Sequence, residues 1–161
     1  GTNPVTAALS DLTPELFQKV FEVNTKGPWY LASRAAPRMA SHGGGSIINV
    51  ISVGGLKSPA YQGFYAGSKA ALHALTKVMA AEWAQIGVRV NALAPGSFHS
   101  DMFDNSAKVL PGFVEGSIAT TLQKRIAETD EIVGSMLYLA SDMSSFTTGS
   151  TLVTDGGYLT L

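Results

Sequence analysis

The chain has 161 residues, 45% of them hydrophobic and 14% charged, enough for one domain with its own core. Its net charge of −1 offers no electrostatic footprint for nucleic acid or a membrane surface, and the absence of cysteine excludes disulfides, thiolate catalysis and cysteine metal sites. No apolar run reaches transmembrane length, and Gly1-Thr2-Asn3-Pro4 lacks the charged region and apolar core of a signal peptide, so the chain reads as a cytoplasmic protein with a truncated or processed start.

Residues 1–11 read as a loop. Thr13-Pro14-Glu15 is a helix start: Thr13 caps, Pro14 takes the first helical position and Glu15 sits in the first turn. An apolar stripe through Leu16, Val20, Val23, Leu31, Ala35 and Met39 predicts one or two helices from Pro14 to Ser41, with a break near Asn24–Gly27. His42-Gly43-Gly44-Gly45 ends that helix. Ser46–Ile51 is a short β-branched run without strict alternation, as in a buried parallel strand. Ser52 to Gln62 reads as a loop. Leu72, Leu75, Met79 and Trp83 then recur at helical spacing, predicting a long helix from Gly63 to Gln85 closed by Gly87. Val88–Ala94 is the next strand, stopped by Pro95-Gly96. Residues 97–128 are weakly periodic and read as a lid with short helices of its own. A helix over Asp130–Ala140, capped by Thr129, precedes a last strand at Ser150–Thr154 and a turn at Asp155-Gly156-Gly157. Strands alternating with helices predict βαβ units on a parallel sheet.

Tyr65 and Lys69 lie four apart at the start of the long helix, so they share a face one turn apart. A phenol beside an ammonium is a proton donor and acceptor whose pKa the cation draws down toward working pH. Ser52 follows the first strand directly, and Pro95-Gly96 ends the second. In parallel α/β sheets ligands bind beyond the carboxyl ends of strands, so these groups can meet in one crevice. Taken singly, each has a plain alternative: Asn24 as a helix breaker or cap, Ser52 as a partner for backbone groups, Pro95-Gly96 as a turn, and Trp29 and Trp83 as packing. Phe103 and Phe113 are the better candidates for substrate contact.

The chain resembles the short-chain dehydrogenase/reductase family. The matching residues are Gly1 (as the end of an Asn-Asn-Ala-Gly motif), Asn24, Ser52, Tyr65 with Lys69, Asn91-Ala92-Leu93-Ala94-Pro95-Gly96 and Asp155-Gly156-Gly157, with thirteen residues from Ser52 to Tyr65. The resemblance implies a Rossmann-like, doubly wound parallel α/β sheet, of which 1–161 would be a single partial domain holding the later strands and helices. It implies an NAD(P)-dependent oxidoreductase, using NAD or NADP, that transfers hydride to or from a secondary alcohol or ketone. Tyr65 would be the general acid or base. Lys69 would lower its pKa and bond the nicotinamide ribose, Ser52 would bond the substrate oxygen, and Asn24 would hold a relay water. Gly1, Pro95, Gly96, Phe98 and Ser100 would complete the cofactor site. Ser100 stands where the family often has Thr, and Phe98 replaces Ile or Val.

The family's glycine-rich cofactor turn and the residue that selects NAD or NADP have no counterpart in this chain, which would begin after them. An inactive remnant that only binds or oligomerises is therefore the alternative to an enzyme. The strand Ser46–Ile51 would then present a bare apolar edge prone to self-association, and the longer protein would be a homodimer or homotetramer. His42-Gly43-Gly44-Gly45 also resembles an esterase oxyanion motif. No Gly-x-Ser-x-Gly nucleophile elbow accompanies it, since Val50 stands two before Ser52.

Overall fold

The structure is a computed structural model and describes residues 1–3 and 7–161. The part of the predicted loop at 4–6 lies outside the described residues; the rest of it carries one 3-10 turn at Leu9–Asp11. Among the described residues three strands form the sheet: β1 (Gly45–Val50), β2 (Val88–Pro95) and β3 (Thr151–Thr154), in the order β1-β2-β3 and parallel throughout. Gly45 stands opposite Val88 and Val50 opposite Leu93, while Ala92 stands opposite Thr151. The expected strand at Ser46–Ile51 begins and ends one residue earlier, though Ile51 N still donates to Leu93 O.

The described residues form seven α-helices: α1 (Pro14–Phe21), α2 (Gly27–Ala40), α3 (Gly54–Lys57), α4 (Gly63–Trp83), α5 (Asp101–Val109), α6 (Phe113–Ala119) and α7 (Val133–Ala140), of which α2, α4 and α7 pack on the sheet. The central strand is buried on both faces. Val88, Val90, Ala92 and Ala94 alternate toward one side. There Val88 and Val90 meet Ala32 and Ala36 of α2 with Met79 and Ala80 of α4, and Ala92 and Ala94 meet Leu72. Arg89 lies on the other face. Its guanidinium donates to Leu139 O, Ser141 O and Ser144 Oγ, pinning the end of α7 to β2. Fully buried side chains such as Leu72 and Val88 contribute about 1.5–3 kcal/mol each to this core.

Thr13 caps α1 as expected, its Oγ1 accepting from Leu16 N at 3.3 Å. The break expected near Asn24–Gly27 is instead a π-turn, Glu22–Lys26, inside a continuous helical run. The extra residue per turn rotates the following helix, so Ala32 and Ala36 reach the core while Leu31 is 71% exposed. Helix α2 ends at glycines with positive φ, Gly43 and Gly44. A side chain on Gly44 would collide with Gly87 O, because the turns feeding β1 and β2 touch backbone to backbone. His42 is exposed and its Nδ1 pairs with Arg38 O, a helix-end contact away from any crevice.

The start of the predicted 130–140 helix is a 3-10 turn, Thr129–Ile132. Its cap is Glu128 rather than Thr129, because the Glu131 carboxylate reaches back to Glu128 N at 2.8 Å. Glu131 also takes both Arg125 guanidinium nitrogens at 2.7 Å. That paired hydrogen bond, helped by Glu128 N, holds its carboxyl down at about 2.

Candidate active site

One crevice of about 730 Å³ opens at the carboxyl ends of β1 and β2. Gly1, Ser52, Tyr65, Lys69, Pro95, Gly96, Phe98 and Ser100 all border it. Asn24 does not; it lies behind Gly1 and Lys69.

Asn24 is 1% exposed and sits in the π-turn. Its Oδ1 accepts from Thr2 N at 2.7 Å, and its Nδ2 donates to Thr2 O at 2.8 Å and to Ser68 Oγ at 3.0 Å. Ser68 Oγ in turn donates to Tyr65 O, and Thr25 Oγ1 to Ser68 O. The Asn24 side chain is thus a clamp that fastens the start of the chain to the first turn of α4. Gly1 follows from the same clamp. A Cβ there would lie 2.9 Å from Asn24 Oδ1 and 3.1 Å from Lys69 Nζ, so no side chain fits.

Lys69 is 6% exposed, and its ammonium donates to Val50 O at 2.9 Å. Burial lowers its pKa. Its Nζ lies 5.9 Å from the centre of the Tyr65 ring. The sequence leads one to expect the cation to draw the phenol pKa down, and the geometry gives the opposite direction. Burial pushes Tyr65 above the ordinary 10.0, and only the neighbouring Ser52 hydroxyl opposes that rise. The ammonium is turned to a carbonyl rather than to the phenol. Ser52 Oγ also accepts from Gly54 N at 3.0 Å, which fixes the hydroxyl at the first turn of α3.

The segment Ser52–Gln62, expected as plain loop, contains α3, whose glycines made it illegible as a helix. Those glycines permit a close approach. A Cβ on Gly55 would lie 2.8 Å from Lys69 Cβ and 2.9 Å from Ala70 N, so α3 packs backbone to backbone on α4 at Lys69. Pro95-Gly96 and Asp155-Gly156-Gly157 are likewise one packing unit. A Cβ on Gly96 would lie 2.7 Å from Asp155 Cα, and the Asp155 carboxylate accepts from Gly157 N and Leu159 N.

Phe98 pairs with Ala127 in an isolated parallel bridge. Its neighbours make the hydrogen bonds, His99 N to Ala127 O and Ala127 N to Ser97 O. The Phe98 N–H therefore takes no partner among the described residues, and Phe98 borders the crevice. Ser100 Oγ caps α5, accepting from Phe103 N at 3.3 Å, so this hydroxyl already has a structural task. Phe103 and Phe113, the sequence's candidates for substrate contact, form a tilted ring pair 5.0 Å apart on the crevice wall. Trp83 packs against the core, while Trp29 is 42% exposed. Gln62, Gly116, Met136 and Tyr158 also line the crevice and were missed; they come from four separate elements and share no spacing that would mark them.

Lys69, Gly1, Gly96 and Phe98 border the same crevice, and an ammonium together with a backbone N–H that has no partner among the described residues is chemistry suited to a sugar hydroxyl and an amide. The ammonium retains donors beyond the one given to Val50 O.

The model of a family described as Enoyl-(Acyl carrier protein) reductase matches residues 1–159. An uncharacterized oxidoreductase of Mycobacterium tuberculosis (strain ATCC 25618 / H37Rv) is 40% identical over 164 residues, covering 98% of this chain and 60% of that protein. The structure of a gluconate 5-dehydrogenase from Burkholderia cenocepacia J2315, in complex with NADP and tartrate, superposes with a TM-score of 0.92. It is 33% identical and is covered over 61% of its length by 97% of this chain. A 4-hydroxyisoleucine dehydrogenase complexed with NADH gives a TM-score of 0.90 at 30% identity, with 98% of this chain covering 65% of it. The chain thus spans roughly three-fifths of the length of these three proteins.

Proposed function

The chain belongs to the short-chain dehydrogenase/reductase family, and on that premise we propose that the protein transfers hydride between NAD or NADP and a secondary alcohol or ketone. The observation that carries this reading is the meeting of Ser52, Tyr65 and Lys69, from β1's exit and the first turns of α4, on one crevice wall. When bound, the nicotinamide supplies or accepts the hydride. The side chains handle the proton. In reduction Tyr65 gives its hydroxyl proton to the carbonyl oxygen, and the Ser52 hydroxyl donates a hydrogen bond to that oxygen as charge develops. Lys69, beside Gly1, would hold the cofactor's ribose, and the Phe98 N–H would be a donor for its carboxamide. Asn24 acts through its clamp on Thr2 and Ser68, which orients the turn bearing Tyr65. Side chains held this completely support an enzyme over a remnant that only binds.

Titration of the intact protein with NADH and with NADPH, followed by cofactor fluorescence, tests the proposal. Saturable binding of at least one, with ketone-dependent oxidation of the bound cofactor, is the expected result. Binding of neither would sink it.

Residues 97–128, including α5 and α6, serve as a lid over the crevice in this reading. Limited proteolysis is expected to cut there first and to slow when cofactor and substrate are added. Early cleavage elsewhere, with this segment resistant, would contradict the lid. We infer further a cytoplasmic homodimer or homotetramer: Phe17, Trp29, Leu137 and Phe146 are large apolar side chains at least 42% exposed. Light scattering that returned a monomer would remove this part. No described helix is long and apolar enough to cross a membrane.

A further inference from the structure

We propose that the crevice selects a neutral substrate with an apolar, ring-sized body and turns away sugar acids and other carboxylates. This rests on the oxidoreductase reading above and adds the substrate class.

The first observation is charge. Lys69 is the one charged side chain among the described residues that border the crevice, and its buried ammonium already holds Val50 O. A carboxylate entering the crevice would lose water without gaining a cationic partner at its far end. An uncompensated buried charge is among the costliest contacts a site can make.

The second observation is what the hydroxyls on the wall are doing. Ser106 Oγ donates to Met102 O, Ser117 Oγ to Phe113 O, and Thr120 Oγ1 to Gly116 O. Each proton is spent inside α5 or α6. A polyhydroxy substrate needs donors and acceptors in matched numbers, and the hydroxyls of α5 and α6 withhold their donors. What the wall presents instead is apolar surface: the Phe103–Phe113 pair, Met102, Met136 and the Tyr158 ring. The other polar side chains of the lining, among them Asn3, Gln62, Ser97 and Thr129, are neutral.

The third observation is space. Gly116 lies inside α6, where glycine costs about 0.5–1 kcal/mol relative to alanine. No positive φ demands it, and a Cβ built there meets nothing within 4 Å. Packing does not require this glycine; the crevice it borders gains the room. A substrate body lying between Gly116 and the aromatic pair uses that room.

Two methyl ketones separate the possibilities: 4-phenyl-2-butanone, neutral and ring-bearing, and levulinate, which carries a carboxylate in place of the ring. 5-Keto-D-gluconate adds the polyhydroxy acid. The expected kcat/KM is ~100-fold higher for the phenyl ketone than for either acid, the size of discrimination an apolar pocket gives. Gly116→Phe is expected to raise KM for the phenyl ketone at least about tenfold with little change for levulinate, and Ser117→Arg to shift the ratio toward levulinate by about tenfold. Equal or better turnover of an acid, abolished by Tyr65→Phe, would overturn the substrate class and leave the oxidoreductase reading intact. Should no ketone turn over, ligand-observed NMR decides. Binding of the phenyl ketone that Gly116→Phe removes upholds the apolar site and counts against the reaction, and absence of such binding overturns the proposal.

Discussion

Tyr65→Phe is expected to lower turnover by ~10²–10⁴-fold, the contribution of a positioned acid or base, while cofactor affinity and thermal stability stay near those of the parent. The substitution removes one hydroxyl and keeps the ring in place. That hydroxyl lies next to Ser52 at the crevice wall, and its loss removes the proposed proton donor. The upward shift of the phenol also sets the pH behaviour. A group with a raised pKa stays protonated to higher pH, so reduction should hold a plateau through neutrality and fall only above pH 10. Alcohol oxidation, which needs the phenolate, should climb about tenfold per pH unit below that point. Steady-state kinetics in both directions, with a cofactor titration of the variant, checks this. Retained turnover in Tyr65→Phe would remove Tyr65 from its role.

Gly55→Val is expected to damage fold and site together. A Cβ at this position lies within 2.9 Å of the backbone of Lys69 and Ala70. Helix backbone cannot give way as a flexible side chain can, so α3 must lift off α4. Overpacking of this kind costs about 1–3 kcal/mol. The same movement displaces Gly54, whose N–H orients Ser52 Oγ, and misplacement by about 1 Å can lower rates ~10²-fold. Gly116→Ala is the contrast, since it fills open space and should stabilise α6 by about 0.5–1 kcal/mol. Thermal denaturation and kcat measured on both variants test the pair. A Gly55→Val protein as stable and active as the parent would mean that α3 does not hold the site.

Much of this architecture is written in local pattern. The strands announced themselves as short apolar runs, the second stopped by Pro95-Gly96 and the third by the turn at Asp155-Gly156-Gly157, and α4 by the recurrence of Leu72, Leu75, Met79 and Trp83. The meeting of Ser52, Tyr65 and Lys69 was also readable, because strand ends and helix starts fix where side chains emerge. The π-turn was not: one inserted residue changes the facing of Leu31 and Ala32 without changing composition. Helix α3 was hidden by glycines whose purpose is contact with a partner distant in sequence. Helices α5 and α6 read as irregular because one flank borders a cavity rather than a core, so the apolar stripe is broken by Ser106, Gly116 and Ser117. The direction of the Tyr65 pKa was beyond sequence altogether. Spacing places a cation one turn away, but only burial and the choice of Val50 O as its partner decide which influence prevails.

The burial of Lys69 sets the needs of chemistry against those of the folded state. An ammonium withdrawn from water, with a single carbonyl for compensation, has its pKa depressed below the 10.5 of the unfolded chain. The unfolded chain therefore binds the proton more tightly. Below the folded pKa this difference weakens the native state in full, and the native state recovers as pH rises from there to 10.5. Working pH falls on the unfavourable side. Stability by itself gives no reason for an ammonium at this position.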